Sequence, residues 1–135
     1  MTNPTILVVE DNPDDEALLI RAFQRVDIRN RIDVAHDGAE AIGYLLGVEG
    51  DPKSGPLPTL VLLDLRLPKI DGMSVLQRIR RDPRTARVPV VVLTSSQDDE
   101  ERAKTYDFGA NGYLRKPVDV DALIKAVRYL NVEWR

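Results

Sequence analysis

The sequence predicts an α/β protein, a doubly wound sandwich in which a parallel five-stranded sheet carries helices on both faces. Three observations predict it. Five short runs of β-branched and aliphatic residues recur along the chain, each is followed by a segment with helical spacing, and three of the runs are continuously apolar. Strands buried on both faces read as unbroken apolar runs, whereas parallel neighbours need a right-handed crossover, which a helix supplies.

The elements follow in order. The first strand is expected at Ile6 to Val9, and the helix after it shows Leu19, Ala22, Phe23 and Val26 on one face. Asp14 and Asp15 read as caps and first-turn acids of that helix, where negative charge meets free backbone N–H groups, and not as ligands. The second strand, Ile32 to Ala35, precedes a helix with Ala41, Ile42, Leu45 and Leu46 inward; the third, Leu60 to Leu63, precedes one with Val75, Leu76 and Ile79. The fourth strand, Val90 to Leu93, leads to a face of Ala103, Tyr106 and Phe108. The fifth, Gly112 to Leu114, leads to a face of Val120, Leu123, Ile124, Val127 and Leu130. That last helix has a second stripe opposite the first, Ala122, Ala126 and Tyr129, which suggests a partner surface. Between Gly47 and Pro58 stand three glycines and three prolines, the mark of an exposed irregular loop.

Length and composition narrow the function. With 135 residues the chain is expected to form one domain, 1–135, able to bury its own core. It has no cysteine and one histidine, which removes disulfides, thiol nucleophiles and Cys/His zinc sites; any metal must be held by oxygen. A net charge of -3 and a pI near 5.2 argue against a nucleic-acid surface. No apolar run approaches the roughly 20 residues of a membrane span, and no signal-like segment precedes the first strand, so a cytoplasmic protein with no membrane contact is expected.

In an open parallel sheet, ligands bind outside the carboxyl ends of the strands. There the first strand ends in Glu10 and Asp11, the third in Asp64 and the fourth in Thr94 and Ser95, and the fifth runs on to Lys116 and Pro117. Any one of these residues alone reads as a turn residue, a strand end or a solvated charge. Together they place three carboxylates, a hydroxyl and an ammonium on one edge. Two like charges about 4 Å apart repel by around 4 kcal/mol at an effective dielectric near 20, so the acids need a counter-charge. A magnesium ion suits all-oxygen ligands and is typically bound by one or two carboxylates plus a phosphate. Asp11 and Asp64 would be direct ligands, with Glu10 acting through water. Asp64 would then attack a phosphoryl group, magnesium and Lys116 would bear the charge on its oxygens, and Thr94 would hydrogen-bond the product, an aspartyl phosphate.

From "ILVVEDNPDD" through "LVLLDLRLPKIDG" and "VVVLTSSQD" to "GANGYLRKPVDVDAL", the whole chain resembles the response-regulator receiver family of two-component signalling. The resemblance implies a flavodoxin-like fold with strand order 2-1-3-4-5 and Asp64 as phosphoacceptor. It also makes Asp11 and Glu10 the acidic pair and assigns Thr94 and Lys116 to the family's hydroxyl and lysine. Arg66 would lend its backbone carbonyl to the metal, Tyr113 would be the aromatic switch, and the Lys116–Pro117 bond would be cis. The wording "VEDNPDD", the long loop and the expected lack of an output domain make the chain similar to the small response regulators of bacterial and cyanobacterial phytochromes. A histidine kinase, in that case a bacteriophytochrome, is the implied phosphoryl donor. The implied output is a phosphorylation-dependent face of the fourth helix, fifth strand and fifth helix, used for partner binding or a homodimer.

The donor must be external, either a histidine kinase or a small acyl phosphate. The nearest approach to a phosphate-binding loop, Gly47 onward, has Pro52 where the second glycine should stand, and His36 reads as a plain surface residue away from the site. The protein is thus expected not to be an enzyme beyond its own phosphorylation and dephosphorylation, with Arg66 and Gln97 as modulators of water access. Three alternatives stand beside this reading. A haloacid-dehalogenase-like phosphatase needs an aspartate where Arg66 stands. A nucleotide- or flavin-binding module would meet repelling acids at the first strand. An unphosphorylated receiver-like scaffold would be expected to lack part of the intact set.

Overall fold

The computed structural model describes residues 5–25, 30–48, 51–52 and 57–128. In chain order these form β1 (Thr5–Val9), α1 (Pro13–Arg25), β2 (Arg31–Ala35), α2 (Gly38–Leu46), β3 (Leu60–Asp64), α3 (Gly72–Arg81), β4 (Val90–Thr94), α4 (Asp99–Asp107), β5 (Gly112–Arg115) and α5 (Val120–Arg128). The sheet is parallel throughout, in the expected order β2-β1-β3-β4-β5. The three central strands are the three continuous apolar runs. The outer two, β2 and β5, carry Arg31, Asp33 and Arg115 among their apolar residues because each has one open edge.

Alternation along each strand builds two cores. Leu7, Val9, Val61, Leu63, Val90 and Val92 face α2 and α3, whose Ala41, Leu45, Val75, Leu76 and Ile79 are buried against them. On the other face Ile6, Val8, Leu60, Leu62, Val91 and Leu93 meet Leu19 and Phe23 of α1 and Leu123 of α5. At roughly 1.5–3 kcal/mol for each fully buried aliphatic side chain, these two layers hold the sheet and fix its edges.

The fourth helix departs from expectation. Ala103 is exposed, Tyr106 is 42% exposed, and Thr105 is the one fully buried side chain of α4, while Phe108 lies just past its end. The sequence of α4, DEERAKTYD, is too polar for a spacing argument to select a face. Within the loop expected to be irregular, Gly47–Val48 pairs antiparallel with Asp51–Pro52 as a minimal ribbon. Val26, Tyr129 and Leu130 lie outside the described residues, as do the side chains of Val120, Ala126 and Val127, so the second stripe of α5 is described only at Ala122, which is half-buried.

Candidate functional site

Parallel strands bring their carboxyl ends to one edge, and there β1, β3 and the β5–α5 loop frame an open cleft of about 430 Å³. Glu10, Asp11, Asp15, Asp64, Arg66, Ser95 and Lys116 line it. The Glu10 amide donates to the Ala35 carbonyl at 2.9 Å, which extends the β1–β2 ladder by one residue and leaves the Glu10 side chain fully buried. Asp64 ends β3 at 4% exposure, and the chain then turns sharply into α3. That turn depends on Gly72, where a Cβ would collide with the Asp64 carbonyl oxygen and stand 2.6 Å from the Leu65 Cα. Gly38 does the same at α2: a Cβ there would strike the Ile70 carbonyl, and its amide donates to the Pro68 carbonyl at 3.2 Å. The loop after Asp64 is thereby clamped between two helix starts, with Lys69 and Ile70 in left-handed backbone conformations at φ 48 and 77.

Lys116 organises the acids. Its amide donates to the Thr94 carbonyl at 2.8 Å, and the following bond to Pro117 is cis, as expected. The ammonium donates to Asp64 Oδ2 at 2.8 Å, Glu10 Oε2 at 2.7 Å and Asp15 Oδ2 at 2.9 Å. All three of its protons are therefore committed. Burial alone would lower the Lys116 ammonium, but its hydrogen bonds to Asp64, Glu10 and Asp15 outweigh that and hold it above the ordinary lysine value. The Glu10 carboxyl is also raised, to about 7: burial is the main cause, a hydrogen bond and repulsion from Asp64 add to it, and Lys116 opposes it. One ammonium faces four acids, so negative charge is in excess. Oxygens of Glu10, Asp11 and Asp64 lie within 4.8 Å of one another, an all-oxygen set that fits a divalent cation.

The structure corrects three readings of the sequence. Asp15 is no mere first-turn acid, because its carboxylate holds Lys116, a partner 101 residues further along the chain that no local spacing points to. The cap of α1 is Asn12, whose Oδ1 accepts from the amides of Asp14 at 2.8 Å and Asp15 at 3.3 Å, with Pro13 in the first helical position. His36 is exposed but not plain: its Nε2 lies 2.8 Å from Glu16 Oε1 and ties the end of β2 to α1.

The expected residues fall into two groups. Glu10, Asp11, Asp64 and Lys116 come together, and Arg66 joins them through its amide, which donates to Asp64 Oδ1 at 2.9 Å. Thr94 and Tyr113 meet elsewhere. Thr94 is buried, accepts from the Ser96 amide at 3.1 Å and donates to Glu101 Oε1 at 3.0 Å; the Tyr113 hydroxyl donates to that same oxygen at 3.1 Å. Burial first, then Glu101, raises the Tyr113 hydroxyl above its usual value. Sequence reasoning missed Glu101, and no spacing rule connects it to either hydroxyl.

An all-parallel sheet in this order, with a lysine-clasped acid cluster at its carboxyl edge, defines a receiver-type fold and site. The family profile of the response regulator receiver domain matches residues 6–128, and the chain belongs to that family. It is 43% identical over 129 residues to the probable methanogenesis regulatory protein FilR2 of Methanothrix harundinacea (96% of this chain, 82% of the relative). It is 36% identical to the response regulator Rcp1 of Synechocystis (98% and 91% covered). Similar solved structures include the bacteriophytochrome response regulator AtBRR, at 38% identity and a TM-score of 0.85 over 100% of this chain and 96% of that one. The Mn(2+)-bound form of Rcp1 aligns at 34% identity and 0.76 (95% and 91% covered). The phosphorylated cyanobacterial phytochrome response regulator RcpA aligns at 33% and 0.77 (96% and 92% covered). The chain is thus a two-component response regulator, similar in sequence and fold to bacteriophytochrome and cyanobacterial phytochrome response regulators, and the phosphatase and scaffold alternatives are not favoured.

Proposed function

We propose that this response regulator carries its signal as a phosphoryl group on Asp64, received from a histidine kinase in a magnesium-dependent transfer. The observation that carries this reading is Lys116, which binds Asp64 and Glu10 at once in a cleft with excess negative charge. Asp64 accepts from the Arg66 amide on Oδ1 and from Lys116 on Oδ2, and a carboxylate has further lone pairs for attack. An Asp64 oxygen forms the new P–O bond while the P–N bond of the donor's phosphohistidine breaks and the imidazole leaves with the electron pair. With an acyl phosphate, a P–O bond breaks instead and the carboxylate leaves.

Asp11 and Asp64 would hold magnesium directly, Glu10 through water and Arg66 through its backbone carbonyl; the ion supplies positive charge against the phosphoryl oxygens. Lys116 keeps Glu10 and Asp15 and moves its third proton from Asp64 to the transferred phosphoryl group. Thr94 donates to that group once formed, and Tyr113 follows it, changing the face made by α4, β5 and α5. Kinship with the Mn(2+)-bound Rcp1 and with phosphorylated RcpA supports the metal and the phosphate. The phytochrome relatives favour a bacteriophytochrome as the kinase.

Radiolabelled phosphoryl transfer from an autophosphorylated histidine kinase tests the assignment. The wild-type chain should take the label within minutes, and Asp64→Asn should take none. Label on Asp64→Asn would send the acceptor role to another residue.

A further inference from the structure

Glu101 is the one carboxylate, among the described residues, that touches both hydroxyls expected to read the phosphoryl group. It stands half-buried in the first turn of α4 and accepts from Thr94 Oγ1 and Tyr113 Oη on the same oxygen, at 3.0 and 3.1 Å. A threonine hydroxyl has one proton to give. While that proton lies on Glu101, it is unavailable to a phosphoryl oxygen on Asp64.

The placement of α4 adds weight to this competition. Thr105 is its one fully buried side chain among those described, and the Thr105 hydroxyl bonds within the helix, to the Glu101 carbonyl at 2.6 Å. Little apolar packing therefore holds the first turn of α4, and the Glu101 carboxylate ties it to the end of β4 and the middle of β5. Hydrogen bonds to an ionised acceptor are about twice as strong as neutral ones. A ligand shifts a two-state equilibrium only by its differential affinity for the two states.

We propose that Glu101 is a positioning residue that holds the resting state: it sequesters the Thr94 and Tyr113 hydroxyls and pins the first turn of α4, and phosphorylation acts by drawing the Thr94 proton away from it. This rests on Asp64 being the phosphoacceptor. Loss of the carboxylate leaves the acid cleft intact and frees Thr94 for the phosphoryl group. The gain should be roughly tenfold in equilibrium, the ratio that one released charge-assisted hydrogen bond represents.

The test uses the full chain with ring-labelled tyrosine and the variants Glu101→Gln and Glu101→Ala, each alone and with Thr94→Val. Without any phosphoryl donor, the Tyr113 ring signal of Glu101→Ala should move toward its position in the phosphorylated wild type, with Glu101→Gln between. In acetyl phosphate and magnesium, Glu101→Ala should reach half-phosphorylation at about a tenth of the donor concentration. The same substitution should gain little where Thr94 is Val. An unmoved Tyr113 signal, or an equal gain in the Thr94→Val background, would overturn the proposal. Failure of every variant and the wild type to take phosphate would defeat the assignment of Asp64, whereas a donor-free Tyr113 signal that is the same in the wild type and Glu101→Ala would by itself overturn the tie to Glu101.

Discussion

At the scale of residues, the cleft is a problem of charge. Three acids share one ammonium with a fourth, Asp11, beside them, and Glu10, fully buried, answers by keeping its proton up to about 7 against an ordinary value of 4.5. The native state thus holds a proton that the unfolded chain releases between those values. Stability of the metal-free protein should therefore fall as pH rises from about 4.5 to 7, by up to about 3 kcal/mol, and level off above. Urea titrations across that range check the slope, and saturating magnesium should flatten it because the ion takes the ionised carboxylates. Affinity for magnesium should weaken in step as pH drops below 7, since ligands must lose their protons first. Calorimetric binding that is insensitive to pH between about 5 and 8 would contradict the role given to Glu10. Much of this cleft was legible in the sequence, because Glu10, Asp11, Asp64 and Lys116 all sit at or just past strand ends, and strand ends in a parallel sheet share an edge. Asp15 and Glu101 were not, because each takes its role from the direction of a helix against a strand far away in the chain. A charged residue in a first helical turn carries the same local signal whether it caps, floats in solvent or holds a lysine of the cleft.

At the scale of elements, the β3–α3 and β2–α2 turns decide where Asp64 points. Gly72 lets α3 begin against the backbone of Asp64 and Leu65, and both obstacles to a side chain there are backbone atoms that cannot step aside. Gly72→Ala should destabilise the fold by about 2–3 kcal/mol and slow phosphorylation more than the stability loss explains. Gly43 is the control: it lies inside α2, where an added Cβ would meet nothing within 4 Å, and Gly43→Ala should stabilise by about 0.5–1 kcal/mol. Thermal melts and acetyl phosphate kinetics on the pair separate close approach from helix propensity. The strands were legible in the sequence because a short, continuous apolar run between turn residues is what a strand buried on both faces requires. The face of α4 was not: a helix of mostly charged residues that buries only Thr105 gives periodicity nothing to detect.

At the scale of the whole molecule, the signal must travel from Asp64 to a surface. The exposed Ala103 and Tyr106 of α4 stand on the expected output face, next to the Glu101 tie. If α4, β5 and α5 make a phosphate-dependent homodimer, sedimentation of the phosphorylated chain should show a heavier species at tens of micromolar, whereas a strict monomer in both states would assign the face to another partner. Among the described residues, no helix is long and apolar enough to cross a membrane. The central claim remains the chemistry at β3. Its most direct test is the intact mass of the chain after incubation with acetyl phosphate, with and without magnesium, beside Asp64→Asn. A single phosphoryl adduct that requires magnesium and disappears in Asp64→Asn is the predicted result; an adduct that persists in the mutant, or forms equally well without the metal, would contradict the account.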